Sequence, residues 1–495
     1  MTNTTNPNPT NGGNGGNGGG IGGLRTAGPA SAAGTGLRSR GSALLEPHTD
    51  LTDGEPPDVI VRGDGCYVWD DEGNRYLEGV AGLWCTTLGF SEDRLIHAAT
   101  HQMQKLPFYG SFNHRTNDVA LALADDLAAI APPDFTKVFF ANSGSEANDT
   151  AIKLAWYMAS LADEPERRVI VSFDRGYHGV TAATASATGL GRMHQGFGLP
   201  LPGFAHVSTP DPRQAEPGEG TKAFARHAAQ RFLAEVEAIG PSKVAAFIAE
   251  PIVGAGGLIF PPPEFFWLIE PFLRRHRILF IADEIITAFG RTGAMFATQT
   301  YDLKPQIITV AKGLSSAYMP ISAVLLHDSV ATRLQDGSRR WGQFSHGFTY
   351  SGHPVAAAVA RETLALYREL DICTHVRFLA PDLAERVASL ATHPLVGGTQ
   401  AQGFLAGIRM NAVVSPDGIT DGETVAARTV LAARRQGLIV RAMGDTVVLA
   451  PPLIAETAHF AEAAAALARA LDDVERTTAD ADDVVVSDRG HFDDA

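Results

Sequence analysis

Between about residues 130 and 315 the chain alternates short apolar runs with segments whose apolar residues recur at helical spacing. The runs at 137–140, 169–173, 244–249, 278–282 and 307–311 are nearly continuous in valine, isoleucine, phenylalanine and alanine. Runs of that kind predict strands buried on both faces. The intervening segments predict helices at 146–159, 221–239 and 263–275; in the second, Phe224, Ala228, Phe232 and Val236 fall on every fourth position. Strand and helix in alternation predict a mostly parallel sheet covered on both sides. Upstream, 66–70 and 75–77 flank the turn Asp71-Glu72-Gly73-Asn74, a hairpin signal, and 118–130 reads as a helix closed by Pro132-Pro133.

Beyond about residue 365 the pattern changes. A helix near 376–391, a strand at 403–408, a helix ending near Arg435, two short strands and an alanine-rich helix follow. Together with the N-terminal hairpin they predict a smaller α/β domain. The expected division is a Gly/Asn-rich tail at 1–45, the N-terminal part of the small domain at 46–95, and a large domain at 96–365. The C-terminal part of the small domain takes 366–476 and an acidic tail 477–495. Both tails hold too few apolar side chains to offset the entropy of ordering, so both are expected to be disordered.

Composition narrows the partners. The 495 residues are 45% hydrophobic and 19% charged, with a net charge of −15. That balance disfavours nucleic acid and anionic membrane surfaces. Cys66, Cys85 and Cys373 are too few and too scattered for a disulfide framework or a zinc site. No apolar run is long enough to span a bilayer and the N-terminus lacks a signal-peptide layout, so a cytoplasmic protein is expected.

In open parallel sheets ligands bind at the carboxyl ends of the strands, and four such ends carry chemistry here. After 137–140 comes Asn142-Ser143-Gly144-Ser145-Glu146-Ala147-Asn148, small residues opening a helix, which suits a phosphate or simply an N-cap. The run 169–173 leads to Tyr177-His178-Gly179, where the aromatic could stack on a flat ligand or merely pack. The run 278–282 ends in Asp283-Glu284, either a helix cap or a buried carboxylate in need of a cation. The run 307–311 ends at Lys312. In water that lysine would only begin a surface loop; desolvated, its amine would tend toward the neutral, nucleophilic form a Schiff-base lysine needs.

These residues, with Ala249-Glu250-Pro251-Ile252, Asp283-Glu284-Ile285, Phe289-Gly290-Arg291-Thr292-Gly293 and Ala311-Lys312-Gly313, resemble the class III aminotransferases. That family comprises fold-type-I enzymes dependent on pyridoxal 5'-phosphate (PLP) and working as homodimers. The resemblance spans 46–476 and implies a large domain with a seven-stranded, mostly parallel sheet beside a smaller α/β domain. It also implies roles by position. Lys312 would bind the cofactor and shuttle the proton, Asp283 would pair its pyridinium, and Tyr177 would stack on the ring with Ile285 on the other face. Ser143, Gly144 and Ser145 would cup the phosphate, with His178 and Glu250 close by. Thr349 would reach the phosphate of the neighbouring subunit. The chain departs from the usual pattern at Ala288, where glycine is common, and at Val253, where glutamine is.

Two further matches narrow the substrate. Gly82-Leu83-Trp84-Cys85 and Pro107-Phe108-Tyr109 resemble the entrance and pocket of the ω-aminotransferases that use pyruvate, and Arg441 stands where that subgroup keeps a mobile carboxylate-binding arginine. The resemblance thus implies transfer of an amino group from an ω-amino acid, diamine or other primary amine to pyruvate, with Trp84, Phe108, Tyr109 and Arg441 binding substrate. A 2-oxoglutarate-linked enzyme of the 4-aminobutyrate or diaminobutyrate type, or an aminomutase, stands as the alternative. His178, His346 and His353 show no metal-ligand spacing. A cofactor-binding protein without catalysis would have no chemical need for Lys312, Asp283 and Tyr177 together.

Overall fold

The computed structural model describes residues 43–49, 51, 57–415, 418–479 and 485–486. Those among the first 59 positions, with 71–73, form one compact unit, and the remainder a second, described separately; everything below belongs to the second. Its strands, in chain order, begin with β1 (Ile60–Asp64), β2 (Tyr67–Asp70), β3 (Arg75–Glu78), β4 (Phe135–Ala141), β5 (Val169–Phe173) and β6 (Phe204–Val207). They continue with β7 (Val244–Ala249), β8 (Leu279–Asp283), β9 (Ile307–Val310), β10 (Ser322–His327), β11 (Val396–Gln402) and β12 (Leu405–Met410). The last are β13 (Val413–Ser415), β14 (Gly418–Thr420), β15 (Leu438–Ile439), β16 (Arg441–Met443), β17 (Thr446–Leu449) and β18 (Val485–Val486).

The central sheet has seven strands in the order β4-β10-β9-β8-β7-β5-β6. Only β10 runs against its neighbours, pairing antiparallel with both β4 and β9; the other pairings are parallel. Alternation along each strand serves two buried faces. On one face Phe173, Phe247 and Phe280 pack with Phe232 and Phe265 from the helices Thr221–Ile239 and Pro263–Arg275. On the other, Ile170, Ala246, Ile248 and Ile281 pack against Ala151, Ile152 and Ala155 of the helix Gly144–Leu161. Buried on both sides, the strands read as unbroken apolar runs.

Three smaller sheets complete the unit. The hairpin β1-β2-β3 takes β15 as a fourth strand, parallel to β3, so the two ends of the chain meet in one sheet. Strands β11, β12, β17 and β16 form another, backed by the helices Ile372–Ser389 and Gly422–Arg435, against which the helix Thr457–Ala479 packs.

The expected disorder of 477–495 is corrected where residues are described. Residues 477–479 complete the last helix, and β18 adds a third strand to the β14-β13 pair. Its two valines are β-branched and hydrogen-bond an edge that would otherwise stay open. The expectation for 1–45 falls, apart from 43–45, outside the described residues. No described helix is long and apolar enough to cross a membrane.

Candidate active site

The carboxyl ends of β4, β5, β8 and β9 bring the sequence's four chemical signals together. Asp283, the last residue of β8, is only 3% exposed. Its Oδ2 accepts from Asn148 Nδ2 at 2.7 Å and from His178 Nδ1 at 2.8 Å, and its Oδ1 from the Ile285 amide at 3.1 Å. A carboxylate only accepts, so the His178 proton sits on Nδ1. Asn148, fully buried in the helix Gly144–Leu161, spends its second N–H on the His178 carbonyl at 2.8 Å, while its Oδ1 accepts from Thr309 on β9 at 2.7 Å. The carboxylate is therefore held by donors from three elements, in a recess where a cation would balance its charge.

Lys312 does not end the strand; β9 stops at Val310 and Lys312 opens the short turn Lys312–Leu314 with φ +46°. The residue keeps some surface toward the recess, yet protein encloses its amine. That enclosure pulls the amine's pKa below the usual lysine value, with Asp283 working in the opposite direction. Tyr177 is half-buried, and desolvation first, then Asp283 and Glu250, push its phenol up. Glu250 accepts from the Tyr177 amide and the Gly254 amide, each at 2.9 Å, which fixes the backbone carrying the aromatic. Burial pushes the Glu250 carboxyl up to about 7.

The Ser143–Ser145 segment begins the long helix. Ser143 caps it through a bond from the Glu146 amide, and Ser145 Oγ accepts from the Val180 amide at 3.1 Å. Two glycines are required here. A Cβ on Gly144 would stand 2.8 Å from Ile285 Cδ1, and one on Gly179, at φ +135°, 2.5 Å from Ser145 Oγ. The segment thus presents a helix N-terminus and two serines, with Ile285 packed directly on Gly144, and its N-terminal amides and hydroxyls suit a phosphate.

Trp84 lies beside the lysine: Lys312 Nζ is 5.5 Å from its ring centroid and Arg441 Cζ 5.7 Å. Arg441 opens β16, and its positive charge is felt at both Lys312 and Tyr177. Glu78, the buried last residue of β3, offsets that charge, and burial raises its own carboxyl to about 7.

Phe108 and Tyr109 sit elsewhere, 41% and 43% exposed, with Phe108 against Tyr350 and His353. Thr349 is exposed on the same rim. The sequence reading also passed over Asn148 and Glu78 as site residues. Each carried a faint signal, a lone amide between the buried Ala147, Ile152 and Ala155, and an acid closing a strand that turns out to be buried.

The model of the family "Aminotransferase class-III" matches residues 52–471. This chain belongs to the class III aminotransferases. A γ-aminobutyrate transaminase 1 of Oryza sativa subsp. japonica, described as mitochondrial, is 42% identical over 421 residues, covering 84% of this chain and 81% of the relative. A γ-aminobutyrate transaminase 1 of Solanum lycopersicum is 40% identical over 443 residues, covering 88% and 86%. Among solved structures, the ω-transaminase of Pseudomonas jessenii in complex with PMP superposes with a TM-score of 0.84 at 40% identity, covering 88% of this chain and 97% of that one.

As a class III aminotransferase the protein uses PLP and takes an amine and a keto acid as substrates. The residues present fit the cofactor. Asp283 offers a buried negative charge for a ring nitrogen, the Ser143–Ser145 cradle a phosphate site, and Lys312 an amine that loses its proton readily. When bound, PLP supplies the electron-withdrawing ring that acidifies the Cα–H bond of the substrate amine. Asp283 would be the group to keep that ring's nitrogen protonated, and Tyr177 and Ile285 the residues that would hold the ring. With the cofactor in place, the buried Lys312 amine, whose pKa is pulled down by its enclosure, would be the group placed to take up the Cα proton and give it back.

Proposed function

We propose that this enzyme moves an amino group from an ω-amino acid, diamine or other primary amine to pyruvate by a ping-pong mechanism. One observation carries the choice of acceptor: Arg441 Cζ lies 5.7 Å from the same Trp84 ring centroid that Lys312 Nζ approaches to 5.5 Å, so one guanidinium stands beside the amine. One arginine can grip one carboxylate bidentately, which fits a monocarboxylate keto acid; a five-carbon dicarboxylate would leave its second charge without a partner. With Glu78 and the Trp84 face beside it, Arg441 has places to rest when a donor without a carboxylate occupies the pocket. The transaminase names of the relatives add 4-aminobutyrate to the donors to be tried, and the alternative linked to 2-oxoglutarate remains the competing outcome.

The exposed rim of Phe108, Tyr109, Thr349 and Tyr350 supports a homodimer in which Thr349 reaches the neighbouring subunit's phosphate site. The free thiols of Cys66, Cys85 and Cys373 support a reducing, cytoplasmic setting.

The test is spectroscopic. Purified protein loaded with PLP is mixed with β-alanine, putrescine or 4-aminobutyrate, and the loss of its yellow absorbance is followed; pyruvate or 2-oxoglutarate is then added. Recovery with pyruvate at least about tenfold faster than with 2-oxoglutarate supports the assignment, a difference near 1.4 kcal/mol. Recovery with 2-oxoglutarate alone moves the enzyme to the alternative. Turnover with no keto acid added would make it an aminomutase.

A further inference from the structure

The segment that carries the catalytic lysine is held in an unfavourable backbone shape. Lys312, Ser316 and Ala317 have φ of +46°, +50° and +66°, the left-handed region that side chains bearing a Cβ avoid. Such a shape persists only where surrounding contacts over-determine it.

One of those contacts comes from Tyr367, fully enclosed in the helix Pro354–Glu369. Its hydroxyl donates to the carbonyl of Gly313, the residue after Lys312, at 2.5 Å. The same oxygen lies 2.5 Å from Thr87 Oγ1. A phenol has one proton, and Gly313 takes it, so Thr87 must be the donor in the second bond. The result is a directed chain from Thr87 to Tyr367 to the Gly313 carbonyl, in which each bond polarises the next. Thr87 is itself anchored, its carbonyl accepting from the Leu453 amide at 2.7 Å. The Tyr367 ring lies nearly parallel to that of Phe289, 6.2 Å between centroids at 17°. A second strut joins the same two segments, with Ser316 Oγ accepting from the Leu88 amide at 2.8 Å.

We propose that Tyr367 is a positioning residue for Lys312. Through the Gly313 carbonyl it sets the backbone from which the amine reaches the substrate carbon, and Thr87 orients it for that task. This rests on the reading of Lys312 as the catalytic amine. The charged groups facing Lys312, namely Asp283, Glu250 and Arg441, together with the Cys85 thiol, are untouched when Tyr367 or Thr87 is changed. A change in the lysine's behaviour therefore reports its placement.

The test compares the PLP-loaded wild type with Tyr367→Phe, which keeps the ring, and Thr87→Val, which removes only the donor to it. Five quantities are read: melting temperature, kcat and KM for the amine, the pH midpoint of the cofactor's yellow absorbance, and hydrogen exchange of the amides of 313–319. For Tyr367→Phe the expected result is a kcat about tenfold lower with KM little changed, a displaced midpoint, and exchange of 313–319 about tenfold faster. Thr87→Val should move each in the same direction by about threefold. A Tyr367→Phe protein that melts earlier but keeps kcat, midpoint and exchange would make Tyr367 a packing residue and overturn the proposal. Should Tyr367→Phe fail to fold, unchanged values in Thr87→Val overturn it equally. Borohydride reduction followed by peptide mass analysis separates the premise from the proposal. Cofactor fixed on a residue other than Lys312 would refute the reading of the lysine, whereas cofactor on Lys312 with unperturbed variants refutes the role of Tyr367.

Discussion

Replacing Asn148 by alanine removes three hydrogen bonds at once, to Asp283, to the His178 carbonyl and from Thr309. A bond to a charged acceptor contributes roughly 1.5–3 kcal/mol and each neutral one about 1 kcal/mol, so the fold should lose about 4 kcal/mol. Only the first of the three touches the reaction. Asp283 keeps His178 and the Ile285 amide but is free to turn about its remaining contacts, and about 2 kcal/mol of its hold on the cofactor nitrogen should go. At 1.36 kcal/mol per decade that is about thirtyfold in the half-reaction with amine, with cofactor affinity falling alongside. Single-turnover decay of the yellow absorbance gives the rate, and equilibrium dialysis the affinity. Thr309→Val is the comparison, since it cuts the far end of the network while Asn148 still reaches Asp283. It should cost about 1 kcal/mol of stability and a much smaller share of the rate. A folded Asn148→Ala protein whose rate and cofactor affinity stay within about twofold of wild type would refute the claim that Asn148 orients the carboxylate.

Arg441→Leu should lower kcat/KM for pyruvate by about 10- to 100-fold, the share of one charge-assisted pair, and leave a donor amine lacking a carboxylate little affected; steady-state kinetics with each substrate varied separately decides. Gly179→Ala places a Cβ against Ser145 Oγ at a backbone angle that alanine resists, so a loss of at least about 2 kcal/mol and weaker cofactor binding are expected by thermal melting and dialysis. Glu250 rises from 4.5 to about 7 in the folded, cofactor-free protein. Between those values the folded state holds a proton the unfolded state has lost, so stability falls as pH rises from about 4.5 to about 7, by up to about 3 kcal/mol, and levels off above. Urea unfolding across that range should show the slope, and Glu250→Gln should reduce it, leaving the share of Glu78, which burial raises over the same range; a slope unchanged by Glu250→Gln would mean that Glu250 is charged throughout.

The sequence alone determined the layering of the large sheet. Strands β5 and β7 and the helices Asp118–Ile130, Thr221–Ile239 and Pro263–Arg275 carry the bounds their apolar patterns predict, because burial on two faces, or on one stripe, writes its period directly into the chain. It also placed Lys312, Asp283, Tyr177 and the Ser143–Ser145 segment at strand ends, where open parallel sheets bind ligands. Tertiary structure alone decided the rest. That β10 enters antiparallel between β4 and β9 depends on pairing between distant segments, which no local period encodes. Asn148, Glu78 and Tyr367 look locally like helix or strand residues among many, and they acquire roles because folding sets them within hydrogen-bond or electrostatic reach of Asp283, Arg441 and Gly313. Phe108 and Tyr109, grouped with the pocket by resemblance, and Thr349, assigned by resemblance to a neighbouring subunit's phosphate, are exposed on their own chain, and exposure of this kind is not written into a local sequence period. Periodicity records which face of an element is buried; partners far apart in sequence are fixed only when the layers close.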